Sequence, residues 1–200
     1  MNVLYRSIPF VVFGIALLTG STAFAHPHHV VHEHVNGFES GFLHPMLGLD
    51  HLLAMLTVGL LAARAGGRAQ WLMPVSFLLF MVLGGAIAFS GRPIFGIETG
   101  IALSVVLLGL AVAAGRDQPL ALMLGACGVF GFFHGHAHGA EMPSIADPAQ
   151  YAAGFVLATA GLHLAGILAG RFLTRSETRR NLLRLSGAAI ALVGVALLLR

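Results

Sequence analysis

Residues 44–55 read HPMLGLDHLLAM, and they stand inside an apolar stretch running from residue 37 to residue 63. Two histidines and an aspartate occupy positions where a membrane span would place leucines, so the first question is what solvent the chain is built for. Of its 200 residues, 57% are hydrophobic and only 10% are charged. Soluble domains carry about 25% charged residues, so there are too few here to coat a water-facing surface. The solvent is a bilayer. The high isoelectric point does not signal nucleic-acid binding, because all eleven basic residues are arginines scattered at the ends of apolar runs. That is the distribution of topology signals, and the expected partner is membrane lipid rather than nucleic acid. Cys127 is the single cysteine, so no disulfide forms within the chain.

Arg6, the apolar run 8–20 and Ala23-Phe24-Ala25 have the charge, core and cleavage site of a signal peptide over residues 1–25. The same core would insert as an uncleaved helix; the small-x-small site favours cleavage, with a mature start at His26 outside the cytoplasm. Residues 26–36 then form a histidine-rich periplasmic tail, and 37–200 a transmembrane domain. About 20 apolar residues cross a hydrocarbon core of about 30 Å. This ruler predicts an all-α polytopic protein with six spans, near 38–64, 71–90, 94–115, 120–138, 151–173 and 182–199. Glycine, proline and arginine clusters separate them. With the mature N-terminus outside, Arg64, Arg68, Arg116, Arg171, Arg175, Arg179, Arg180 and Arg184 fall inside, against Arg92 and Arg200 outside. The positive-inside rule and the leader therefore agree. Spans one to three and four to six enter from opposite sides, as a 3+3 inverted repeat would. Spacings such as Gly131/Gly135/Gly139 and Gly166/Gly170 suit close helix packing.

On a continuous helix, residues seven apart differ by only about −20° around the axis, so His44 and His51 would share a face that Met55 continues. Asp50 would lie roughly 18 Å below the start of the span. An ionised aspartate at mid-bilayer costs about 2.5–3.5 kcal/mol on insertion scales. It is either structural glue to a buried donor or part of a ligand set, and the density of polar groups favours the ligand set. Pro45 and Gly48 imply that the helix starts near Pro45 or is kinked there. Either way, irregular backbone at that depth belongs next to a cavity or buried in protein. The second cluster, FFHGHAHGAE, spans residues 132–141. His134, His138 and Glu141 share one helical face, whereas His136 points about 200° away. Gly135 and Gly139 predict an unwound end. His163 in the fifth span and Glu98 in the third are single residues, as readily hydrogen-bonded to a neighbouring helix as bound to a metal. His26, His28, His29, His32 and His34 form a tract that binds divalent metals by composition. Either a loose metal-collecting arm or a solvated one fits it.

Imidazole with carboxylate, a thioether at most and no thiolate, points to nickel, cobalt or zinc. Ligands on spans from the two halves make a midplane site of the kind secondary transporters use. No GxxxxGK[ST] occurs, so the chain has no P-loop and no ATPase subunit is evident in it. HPMLGLDHLLAMLTVGL and FFHGHAHGAE, with the leader, GFESGF and six spans, resemble the HupE/UreJ family of nickel/cobalt permeases over essentially the whole mature chain. The resemblance implies uptake of Ni²⁺ or Co²⁺ across a bacterial inner membrane for metalloenzyme or cobalamin supply. It carries His44, Asp50 and His51 over from the first motif, and His134, His138 and Glu141 from the second. The expectation is a permease with no resident cofactor: the tail collects the ion, the second motif receives it at the mouth and the first binds it at depth.

Three other readings compete. An intramembrane metalloenzyme would need a closed ligand set holding an activated water, and iron-type histidine boxes would face the cytoplasm. A b-type haem protein would use histidines from different spans as axial ligands. A metal-binding accessory protein for metalloenzyme assembly would share every ligand with the permease without moving the ion.

Overall fold

The computed structural model describes residues 36–144 and 146–200. The expected leader and the tail histidines His26, His28, His29, His32 and His34 lie outside the described residues. Among those residues there are seven helices and no strand: α1 (Gly37–Leu47), α2 (Leu49–Ala65), α3 (Ala69–Phe89), α4 (Ile97–Ala114), α5 (Leu120–Ala140), α6 (Pro148–Leu173) and α7 (Glu177–Leu198). Five of them, α3 to α7, are long and apolar enough to cross a membrane; α1 and α2, joined at an 82° bend, pass the same test together, and as one broken span they make the sixth. The chain is a polytopic, all-helical membrane protein.

Local chemistry sets the boundaries. Asn36 caps α1 by accepting from the Phe38 N–H at 3.0 Å. Asp147 does the same for Gln150 at the head of α6, where Pro148 occupies the first helical position. Ser176 caps α7, which starts at Glu177 rather than at residue 182. The apolar ruler measures hydrocarbon, whereas this helix runs on through a polar, arginine-bearing turn. The first span breaks at Gly48, whose backbone is extended (φ −92°, ψ 121°). Pro45 lies inside the last turn of α1. Having no N–H, it cannot bond the carbonyl four residues earlier, and the helix ends just beyond it.

The helices pack as three intimate pairs: α6 runs along α1 and α2, α5 along α3, and α7 along α4. In span numbers, one packs on five, two on four and three on six. That pairing is unchanged when spans one to three are exchanged in order for four to six. Each pair is joined at glycines where backbones meet. A Cβ at Gly59 would lie 2.8 Å from the Gly166 Cα, one at Gly139 would lie 2.6 Å from the Gly85 carbonyl, and one at Gly109 would lie 2.6 Å from the Ala191 nitrogen. The expected unwinding around Gly135 and Gly139 does not occur: α5 continues to Ala140. These glycines are seams against Met81 and Gly85 of α3, not helix breaks.

One end of the bundle collects the arginines. Arg64 donates to the carbonyls of Ala111 (3.0 Å) and Arg116, and Arg171 donates twice to Gln70 (3.1 and 2.9 Å), tying helix ends together. At the opposite end α4 and α5 touch through Ile97, Ile101, Phe133 and Ala137. Towards the arginine end they separate, leaving an apolar wedge of about 670 Å³ floored by Met73, Cys127 and Phe130, with Arg68 and Asp117 among its lining.

Gly135→Val should fail against the Met81 backbone, costing at least the roughly 1–3 kcal/mol of an overpacked core. A Cβ at Gly125 meets nothing within 4 Å, so Gly125→Ala should be neutral or gain about 0.5–1 kcal/mol of helix propensity. Thermal melts of the detergent-solubilised protein, read beside its elution profile, check both.

Candidate metal centre

The break at Gly48 places Asp50 and His51 in the first turn of α2, where backbone N–H groups have no intrahelical partner. Asp50 Oδ1 accepts the His51 backbone N–H at 2.8 Å and the His51 Nδ1–H at 2.6 Å. A carboxylate at a helix N-terminus is also favoured by the helix dipole. Asp50 therefore satisfies the head of the helix and orients the imidazole beside it. A Cβ on residue 48 would come within 2.8 Å of His51 Nδ1 and 2.9 Å of Asp50 Oδ1, so only glycine admits this arrangement.

With Nδ1 committed to Asp50, His51 presents Nε2, which is buried and without a hydrogen-bond partner. His134 is fixed the other way round. The Ser104 hydroxyl donates to the Ile101 carbonyl at 2.6 Å, so it accepts from His134 Nε2–H at 2.9 Å. That leaves His134 Nδ1 buried and unpartnered. His138, one turn along the same face of α5, has both ring nitrogens buried and unpartnered. Its ring centroid lies 4.2 Å from that of His51, and the His51 and His134 centroids are 4.8 Å apart. One ligand atom from each of His51, His134 and His138 falls within 4.8 Å of the others. Two of the three imidazoles, His51 and His134, have their other nitrogen held by a carboxylate and a hydroxyl, which is the second-sphere support of a metal site.

A second group stands nearer the end of the bundle. His44, in the last turn of α1, bonds Glu141 through Nε2–Oε2 at 3.0 Å, and its ring centroid lies 4.6 Å from that of His138. His44, His138 and Glu141 again have ligand atoms within 4.8 Å of one another. His44 and Glu141 are 26% and 34% exposed in their side chains, whereas the His51 side chain is 10% exposed and His134 and His138 are fully buried. The grouping thus differs from one read off continuous helices: His44 and His51 sit on separate helices in different groups, and each group mixes the two motifs. His138 belongs to both.

The remaining candidates fall outside these groups. His136 donates from Nε2 to the Arg92 carbonyl at 2.9 Å, on the side of α5 away from the cluster. Glu98 is exposed in the first turn of α4. Met55 is fully buried one turn below His51 and accepts from the Thr159 hydroxyl at 3.4 Å. His163 is buried beneath the Phe77 ring. Ser104, which orients His134, had no mark in the sequence beyond being a hydroxyl inside an apolar run.

The model of the HupE / UreJ protein family matches residues 14–197. The chain belongs to that family. Among curated proteins, Protein HupE of Rhizobium leguminosarum bv. viciae is 41% identical over 184 residues, covering 92% of this chain and 93% of its own length. No solved structure matches. The matched residues take in both the α1–α2 break and the histidine face of α5.

Losing a second-sphere partner typically lowers metal affinity by about 10–100-fold. Asp50→Asn and Ser104→Ala should each weaken Co²⁺ binding within that range, and His138→Ala, which removes a member of both groups, by more. Co²⁺ titrations followed by visible absorption would check the order.

Proposed function

We propose that this HupE / UreJ protein is a permease that imports Ni²⁺ or Co²⁺ across the bacterial inner membrane, and that it is not an enzyme. The observation that carries this reading is the sharing of His138 between a half-exposed group and a buried one. A metal that must stay, in an enzyme or a haem protein, is served by one closed ligand set. Two sets joined by a common ligand, one behind the other from the bundle end inwards, suit an ion that moves. Conduction needs binding favourable enough to enter and weak enough to leave, so micromolar or looser affinity is expected.

The ion is cargo, and no resident cofactor is required. Imidazole and carboxylate donors without thiolate suit nickel, cobalt or zinc; preference for the first two rests on the family resemblance. The arginine-bearing end is assigned to the cytoplasm by the positive-inside rule, which puts His44, Glu141 and the tail histidines on the periplasmic side. Glu141 and His44 receive the ion, His138 passes it inwards, and His51 and His134 hold it while Asp50 offsets part of its charge. The chain carries no P-loop of its own, and uptake driven by the membrane potential or by proton antiport both fit this reading. The competing reading, an accessory protein that binds metal without moving it, is separated by transport alone.

Liposomes containing the purified protein should take up radiolabelled Ni²⁺ saturably, with competition by Co²⁺ but not by Mg²⁺. Asp50→Ala and His51→Ala should each reduce uptake by at least about tenfold. Full uptake by both variants would refute the assignment, and binding without uptake by the wild type would favour the accessory protein.

A further inference from the structure

Each buried histidine other than His163 has a hydrogen bond or a place in one of the two groups. His51 and His134 are each anchored at one nitrogen and offer the other to the cluster; His136 bonds a carbonyl; His138 serves both groups. His163 has neither nitrogen bonded, although it is 1% exposed and stands in the middle of α6. A buried polar group without a partner is uncommon and calls for a cause. Nothing about helix packing supplies one, because the apolar neighbours would accept a leucine there.

The surroundings supply a second observation. The Phe77 ring packs edge-on against His163, at 5.1 Å between centroids, and also against His134, at 5.5 Å. One aromatic ring thus links His163 to the histidine group. Its backbone carbonyl is level with Gly59 of α2, and helical side chains lean towards the N-terminus of their helix. The ring is thus carried back towards Thr159, one turn earlier on the same face. There the Thr159 hydroxyl meets the Met55 sulfur at 3.4 Å, and both residues are fully buried. The Met55 thioether and the Thr159 hydroxyl thus lie within about one helical turn of the unpartnered His163 imidazole in an otherwise apolar core. This donor set takes borderline and soft cations and offers little to Mg²⁺ or Ca²⁺.

We infer that His163, with the Met55 thioether and the Thr159 hydroxyl, forms a further, inner station for a divalent transition-metal ion, about one helical turn beyond the His51–His134–His138 group. It carries no carboxylate, so it holds the ion more weakly than the group above it and favours onward release. The inference rests on the permease reading for its role in uptake, but not for the binding itself.

The test compares the full-length wild type with His163→Leu, His163→Met and Met55→Leu. Equilibrium dialysis with Co²⁺ in detergent counts bound ions, and Ni²⁺ uptake is measured in liposomes. The tail histidines are common to all four proteins and cancel in the comparison. His163→Leu should bind one ion fewer per chain at saturation and lower uptake by about tenfold or more. His163→Met, which restores a donor, should recover part of both. Met55→Leu, nearly isosteric, should weaken the same ion. Unchanged stoichiometry and uptake in His163→Leu would overturn the inference. Should that variant not fold, wild-type behaviour of Met55→Leu would overturn it equally. A wild type that binds the extra ion but transports none would sink the permease and leave the station.

Discussion

A helix that begins inside a membrane protein must find partners for its first backbone N–H groups, since the hydrocarbon around it offers none. At the head of α2 the Asp50 carboxylate accepts the His51 backbone N–H and the His51 ring together. The rest of the site depends on that double acceptance. It makes a break at Gly48 tolerable, gives a half-buried aspartate a structural reason to exist, and fixes which imidazole nitrogen faces the cluster. Because the bend turns α1 away from α2, His44 can reach Glu141 while His51 reaches His134. A straight span would have put both histidines on one stripe and could not have served two groups.

The fold was largely legible because length and hydrophobicity decide it. Six apolar runs of the right length imply six spans, and the capping residues and glycine–proline separators sit where the helices end. The break was legible in kind but not in place: Pro45 and Gly48 together advertised it near the proline, while the chain turns three residues later at Gly48, where Asp50 and His51 fill the space a side chain would take. Gly135 and Gly139 were misleading. In an isolated helix glycine is a weakness, but between membrane helices it permits backbone contact, and the neighbour that decides between the two is α3, far away in sequence.

The site residues were visible as residue types, and their partnership was not. Periodicity assigns side chains to the faces of one helix; it cannot say that a histidine of α5 stands between two helices of the first span. Nor could it separate Asp50, which supports His51, from the residues whose ligand atoms meet. Ser104 and Thr159 escape notice for a related reason: a hydroxyl in an apolar run ordinarily bonds back to its own helix, as Ser104 also does with Ile101. Its second bond, to His134, exists only in three dimensions.

The wedge between α4 and α5 has a consequence of another kind. An apolar space of about 670 Å³ bordered by the exposed side chains of Leu107, Leu110 and Leu122 does not stay empty in a bilayer, because unfilled apolar walls forfeit their dispersion contacts. Acyl tails complete the packing there, and in a micelle detergent tails must take their place. The length and branching of those tails thereby enter the folding free energy of the protein, much as a core side chain would. The choice of solubilising agent is, for this chain, a substitution made in its interior.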